Sequence, residues 1–155
     1  MSAVIDAEAL PKEEAPHQIF RVAIENIQAL WPQIESLVAV ELFGLPTHLP
    51  DDVRHILLAN RANLWIQWSD RVEAMVITDF VSYPRGLALR IWLGAARKDA
   101  KFDRARFFVE LQQWARRNEC RWIDGCGRVG WLKVFPDVRY AGMFMRLDVD
   151  KDYMK

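Results

Sequence analysis

Three extended apolar runs separated by very short breaks constrain the fold of this chain more than any other feature. The runs cover residues 63–68, 73–83 and 87–95, and they are rich in Val, Ile, Trp and Phe. The breaks between them, marked by Ser-Asp-Arg at 69–71 and Pro-Arg-Gly at 84–86, are only three or four residues long. Such runs joined by such short turns are typical of hairpin-connected strands. The sequence therefore predicts an antiparallel meander in the middle of the chain.

The segment before the meander predicts one strand and two helices. Alternation of apolar with polar or small residues over 20–25 predicts a half-buried strand. Leucines and isoleucines at helical spacing predict a helix over 29–43, in which Pro32 is acceptable only in the first turn. A second helix is predicted from Pro50 to about Leu58, because proline suits the first helical position.

The segment after the meander begins with a predicted amphipathic helix over Phe102–Arg117. Its predicted apolar face consists of Ala105, Phe108, Val109, Leu111, Trp114 and Ala115. A short strand at Trp122–Gly125 follows, and strand–helix–strand order predicts a right-handed parallel crossover. A short helix over 129–134 and a last strand over 143–149 complete the order βααβββαβαβ. The predicted fold class is α/β (α+β), with one mixed, mostly antiparallel sheet flanked by helices.

The length of 155 residues fits one domain, since most domains have roughly 100–150 residues. Residues 1–16 contain two prolines, an acidic excess and no sustained periodicity, which predicts a flexible N-terminal arm. The sequence thus predicts a single domain over 17–155 preceded by this arm.

Charge and composition exclude several classes of function. The 21 Lys and Arg residues balance 21 Asp and Glu residues, so nucleic acid is not an expected partner. No apolar run reaches the roughly 18 residues of a membrane span, and no membrane partner is expected. The spacing of Cys120 and Cys126 fits neither a redox pair nor a zinc site. The three histidines, His17, His48 and His55, complete no metal site.

Two further motifs carry a resemblance to a known family. They are WARRNECR at residues 114–121 and GRVGW at 127–131. Together with the element order, they resemble the GNAT (N-acetyltransferase-like) superfamily over residues 18–149, and in particular small GNAT-like proteins of bacteriophage and prophage structural-gene clusters. YPRG at 83–86 fits that group as well.

The resemblance implies a coenzyme A site between the fourth strand and the long helix. In the superfamily, a glycine-containing loop there brings backbone N–H groups close to the pyrophosphate. The corresponding residues 95–103 contain no glycine, and Asp99 and Asp103 are expected to cap the helix start instead. Cationic side chains could still bind phosphates by charge. These candidate cofactor ligands are Arg97, Lys98, Lys101 and Arg104.

The resemblance also implies a tyrosine that protonates the leaving thiolate. Phe135 occupies the nearest position, so the role would pass to Tyr140. Glu73 and Asp79 lie on the strand where some acetyltransferases keep a general base. Carboxylates on a meander serve solubility just as readily, so both interpretations stay open.

Two functional hypotheses follow. The first is a non-catalytic, degenerate GNAT-like phage or prophage protein without cofactor. It has a virion-associated or assembly role and binds other virion proteins, and an oligomer is one expected form. Trp131 and Arg128 are the predicted partner-binding residues, since seven tryptophans exceed the needs of one small core. The alternative is an acetyl-CoA-dependent N-acetyltransferase acting on a host or phage amine. The expected location is the virion or the cytoplasm of the bacterial host.

Overall fold

The structure is a computed structural model that describes residues 17–43 and 47–125. The strands are β1 (Gln18–Arg21), β2 (Asn63–Trp68), β3 (Val72–Tyr83), β4 (Gly86–Ala96) and β5 (Cys120–Gly125). The helices are α1 (Ile24–Leu42), α2 (Pro50–Leu58) and α3 (Arg104–Arg117). One sheet contains all five strands in the order β1-β2-β3-β4-β5. The described residues up to Asp124 belong to one compact unit, Met1–Asp124.

The meander predicted from the sequence is confirmed. The pairs β1–β2, β2–β3 and β3–β4 are all antiparallel. The predicted fold class is likewise confirmed, because the structure has one mostly antiparallel sheet with three helices among the described residues. The predicted helix over 129–134, the predicted strand over 143–149 and the predicted arm over 1–16 lie outside the described residues.

The sheet separates two apolar clusters. On one face, the buried residues of α1 and α2 pack against Leu64, Ile66, Met75 and Ile77. On the other face, the buried residues of α3 belong to a second cluster, which includes Trp65 and Val76 of the sheet. Burial of these surfaces is the main force that holds the layers together. No helix among residues 17–43 and 47–125 is long and apolar enough to cross a membrane.

A β-bulge in β4 switches the face to which its side chains point. Ile77 is opposite Leu93, whereas Thr78 is opposite Ile91, so Trp92 is the extra residue. A single inserted residue reverses the alternation of a strand. Ile91 accordingly packs on the α3 side, while Leu93 belongs to the cluster under α1 and α2.

The first strand and first helix differ from their predicted bounds. The strand ends at Arg21, and α1 begins at Ile24, five residues before the predicted start. Pro32 therefore lies inside the helix and not in its first turn, which corrects the prediction. An interior proline costs about 3 kcal/mol. Pro32 is exposed, and α1 buries six apolar side chains against the sheet, enough to outweigh that cost.

The apolar face of α3 is rotated from the predicted one. The buried residues are Phe107, Leu111 and Ala115, which follow one another at four-residue spacing. Val109, which the sequence placed on this face, is 51% exposed. Ala105 is exposed as well. The prediction was right for Leu111 and Ala115 and wrong for these two.

The turn between β3 and β4 depends on glycine. Gly86 has φ +148°, a conformation that side-chain-bearing residues rarely adopt. A Cβ at this position would lie 2.7 Å from Cδ of Arg121, so glycine also permits the close approach of β5. Arg121 Nη1 donates to the carbonyl of Arg85 at 2.9 Å. The chain therefore leaves the end of β4, runs along α3, and returns to the beginning of β4.

Candidate functional site

The side chain of Gln67 on β2 fixes the start of α3 through two hydrogen bonds. This side chain is 3% exposed. Its Oε1 accepts a hydrogen bond from the backbone N–H of Asp103 at 3.0 Å. Its Nε2 donates to the carbonyl of Lys101 at 2.8 Å. One buried amide thus satisfies two backbone groups of the connection between β4 and α3.

Asp103 caps α3, as the sequence predicted. Its Oδ1 accepts a hydrogen bond from the backbone N–H of Arg106 at 3.2 Å. Its Oδ2 lies 2.9 Å from Nε2 of His17, just ahead of β1. Arg106 Nη1 closes the network by donating to the carbonyl of His17 at 3.0 Å. The positive end of the helix dipole therefore already faces a carboxylate of the chain itself.

Asp99 does not cap the helix, which corrects the second capping prediction. It accepts a hydrogen bond from Arg71 Nη2 at 2.8 Å. This bond lowers the pKa of the Asp99 carboxyl and raises the pKa of Arg71. Because folding lowers the pKa of the carboxyl, the pair stabilises the fold above the ordinary aspartate pKa. That contribution is lost as the pH falls through the lowered value.

The four predicted phosphate ligands all lie on the connection into α3 or in its first turn. The Nε of Arg97 is buried and has no hydrogen-bond partner among the described residues. The nearest carboxylate oxygen, Oδ1 of Asp99, is 3.7 Å away, which is too long for a hydrogen bond. The Arg104 guanidinium lies over the Phe102 ring, 5.0 Å from its centroid. Lys98 and Lys101 are exposed.

The family resemblance implies coenzyme A as the cofactor. The residues of this region fit the diphosphate group of coenzyme A in part. An orphaned, buried guanidinium N–H and three neighbouring cations suit a diphosphate. The backbone N–H groups of Asp103 and Arg106 are not available to bind the diphosphate, because they already donate to acceptors within the chain. The residues present therefore favour binding through side chains.

The two candidate bases lie apart on β3, Glu73 near its beginning and Asp79 just past its middle. Glu73 accepts hydrogen bonds from Ser69 Oγ at 2.8 Å and from Arg71 Nε at 3.1 Å. Its carbonyl accepts a hydrogen bond from the N–H of Arg97, so Glu73 lies beside the end of β4, where the connection into α3 begins. Asp79 is six residues along the strand, or roughly 20 Å away. Both of its oxygens accept hydrogen bonds from Arg90.

The structure therefore brings Glu73, but not Asp79, to the candidate cofactor site. Tyr140, Trp131 and Arg128 lie outside the described residues, and their roles stay predictions. So do the catalytic roles of the two carboxylates and the cofactor role of the four cations.

The histidines and the described cysteine occupy separate places. His48 stacks edge-on against Trp92 with ring centroids 5.1 Å apart. His55 lies beside Asp51, whose pKa is lowered chiefly by its hydrogen bond from Arg54. Within residues 17–43 and 47–125, no three His, Cys, Asp or Glu side chains form a group that could hold a metal. Cys120 is a free thiol, and burial raises its pKa.

Sequence reasoning missed two contributors to this site and one irregularity of the sheet. Gln67 was not singled out, although a lone amide in an otherwise apolar strand is a signal of a buried polar contact. The contact of His17 with Asp103 joins residues 86 positions apart, and no local sequence signal predicts it. The bulge at Trp92 breaks the strand alternation, and bulges are over-represented beside active sites.

Comparisons with known proteins bear on the fold. No family model matches the sequence, and no curated protein matches it. A predicted acetyltransferase from Clostridium acetobutylicum, solved with acetyl-CoA, has TM-score 0.67 and 12% identity over 89% of this chain and 99% of that one. A ribosomal-protein-alanine N-acetyltransferase from Brucella melitensis has TM-score 0.64 and 12% identity over 88% and 100%.

A GNAT family acetyltransferase from Staphylococcus aureus is also similar, with TM-score 0.61 and 12% identity over 84% of this chain and 98% of that one. Likeness at such low identity establishes the fold alone. The chain has the GNAT acetyltransferase fold.

Proposed function

We propose that this chain is an acetyl-CoA-dependent N-acetyltransferase whose coenzyme diphosphate is held mainly by side chains. The observation that carries the proposal is Arg97, whose buried Nε has no hydrogen-bond partner among the described residues. An unsatisfied buried donor costs about 1–3 kcal/mol, which a bound anion would recover. Similarity to solved acetyltransferases, one of them containing acetyl-CoA, supports the same activity.

Three groups of residues have roles in this proposal. Arg97, Lys98, Lys101 and Arg104 bind the diphosphate. The coenzyme supplies an activated acetyl thioester. Glu73 and Asp79 remain the two candidate bases, and Glu73 lies beside the proposed diphosphate site, because its carbonyl accepts a hydrogen bond from the N–H of Arg97. Asp79 lies roughly 20 Å further along β3, where both of its oxygens accept hydrogen bonds from Arg90. Tyr140 remains the proposed proton donor.

Binding of acetyl-CoA tests the proposal directly. At a hundred times its Kd, acetyl-CoA is expected to raise the free energy of unfolding by about 2.7 kcal/mol, because it binds only the folded chain. Arg97→Met should weaken binding in calorimetry by about tenfold or more, since it removes a charge-assisted hydrogen bond. Arg61→Met, an exposed arginine between α2 and β2, is the matched control. No stabilisation at millimolar acetyl-CoA would eliminate the proposal.

Asp103→Asn should remove the negative charge at the start of α3 while keeping the helix cap. Asparagine still accepts the bond from Arg106, so stability should change by less than about 1 kcal/mol. Acetyl-CoA should bind about fivefold tighter, because removing a nearby like charge relieves about 1 kcal/mol of repulsion. Asp52→Asn, an equivalent change in the first turn of α2, should leave the affinity unchanged. Equal or weaker binding by Asp103→Asn would contradict competition between this carboxylate and the coenzyme.

A second candidate function is a non-catalytic, virion-associated or assembly role in a phage or prophage. The observation that favours it is the capped start of α3, where Asp103 and Gln67 occupy backbone N–H groups that would otherwise face a phosphate. This candidate predicts no response to acetyl-CoA and copurification with phage particles. A protein found only free in the host cell would contradict it.

A further inference from the structure

His17 connects the beginning of β1 to the start of α3, where the proposed diphosphate site lies. Its Nε2 is 2.9 Å from Oδ2 of Asp103. The two side chains are only 23% and 25% exposed, so salt and water screen their interaction only in part. The backbone of His17 is held as well, because its carbonyl accepts a hydrogen bond from Arg106 Nη1. The imidazole therefore has a defined position beside the carboxylate that caps α3.

The charged groups that contact His17 among the described residues belong to α3. The Asp103 carboxylate faces the ring, and the Arg106 guanidinium binds the backbone carbonyl. The strand that pairs with β1 brings no charge to this place, because β2 has the sequence NLWIQW. Asp103 is thus the charge with which the imidazole interacts directly.

The contact between the imidazole and Asp103 does not depend on the charge of the ring. A carboxylate only accepts hydrogen bonds, so Nε2 of His17 is the donor whether or not Nδ1 also carries a proton. Histidine is ordinarily the side chain whose charge changes between about pH 5 and 8. A proton on Nδ1 would therefore take the pair from one negative charge to none and leave its geometry intact.

The charge of this pair matters for an anion at the start of α3. Asp103 directly precedes Arg104 and follows Lys101 by two residues, so its carboxylate lies among the proposed diphosphate ligands. A like charge near a diphosphate weakens its binding, whereas a neutral pair does not. The helix keeps its cap in both states, because Oδ1 and not Oδ2 accepts the hydrogen bond from the N–H of Arg106.

We propose that His17 is a positioning residue of the diphosphate site, which acts through Asp103 and makes coenzyme binding depend on a proton. With the imidazole protonated, the pair is neutral and the coenzyme binds more tightly. With the imidazole neutral, the Asp103 charge repels the diphosphate. Affinity for the coenzyme therefore rises as the pH falls. The inference rests on the proposed acetyltransferase function.

Calorimetric titration of the full-length chain with acetyl-CoA at about pH 5.5 and about pH 8 tests this role of His17. Coenzyme A carries a phosphate monoester that itself ionises at about pH 6, so the wild type is compared with a variant at each pH. His17→Gln keeps a donor for Asp103 and stays neutral at both pH values. The gain in affinity at the lower pH should be about fivefold larger for the wild type than for His17→Gln, because one nearby charge is cancelled.

His55→Gln is the matched control, because Nε2 of His55 also lies beside an aspartate, 3.0 Å from Oδ2 of Asp51 on α2. It should keep the wild-type pH dependence. Asp103→Asn should lose most of the fivefold excess, since it removes the carboxylate through which His17 acts. In buffers of different ionisation enthalpy, the wild type should take up more protons on binding than His17→Gln, which a purely structural role of His17 would not produce.

Two results would overturn the role of His17 and leave the acetyltransferase proposal intact. One is binding of acetyl-CoA with the same pH dependence and proton uptake in the wild type and in His17→Gln. The other is an equal loss of pH dependence in His55→Gln. Absence of binding to the wild type at both pH values would instead eliminate the acetyltransferase proposal, and the role of His17 with it.

Discussion

Gln67→Met is expected to lower the free energy of unfolding by about 3 kcal/mol, although the side chains have nearly the same volume. Methionine would preserve the packing of β2 and remove both hydrogen bonds to the β4–α3 connection. The N–H of Asp103 and the carbonyl of Lys101 would then lose their partners. Each unsatisfied, buried backbone group costs about 1–3 kcal/mol. Urea unfolding followed by tryptophan fluorescence would measure the difference.

Gln112→Met is the control for this experiment, since Gln112 is exposed on α3. It should change stability by less than about 0.5 kcal/mol. If Gln67→Met were as mild as the control, Gln67 would not hold the start of α3 in solution. Asp103 would then lose one of the contacts that fix it beside the candidate cofactor site.

The meander could be predicted because its signals are local. Strand composition and short turns determine β2, β3 and β4 without reference to the rest of the chain, and their predicted bounds are confirmed within one residue. Pro50 similarly marked the start of α2. The general fold follows from the order of such elements.

The beginning of the chain was harder to predict because local and tertiary preferences conflict there. Residues 20–25 alternate as a strand would, yet α1 has already begun at Ile24. Ile27 and Trp31 are buried against the sheet, and this burial determines where the helix begins. Pro32 locally favours a helix start, but long-range packing overrides that preference.

The candidate site could be predicted only in part, because it too depends on contacts between residues far apart in the sequence. The chain order places cations and carboxylates near the start of α3, and Asp103 caps that helix as expected. Which of Asp99 and Asp103 caps α3 depends on Arg71, which binds Asp99 and lies in a turn 28 residues before it in the chain. The position of Asp79 relative to Glu73 required only strand geometry, whereas its pairing with Arg90 required the β3–β4 register.

Phe107→Ala is expected to lower the free energy of unfolding by about 4 kcal/mol, the usual cost of emptying a buried aromatic site. Phe107 is 2% exposed and packs in the cluster between α3 and the sheet, with its ring edge-on to Phe102 at 5.3 Å. Phe108→Ala is the matched comparison, since the sequence pattern assigned Phe108 to the buried face and the structure leaves it partly exposed. We expect that change to cost about 1 kcal/mol. Chemical unfolding of both variants would decide between the two rotations of α3, because a larger loss for Phe108→Ala would mean that the sequence-based face is the buried one.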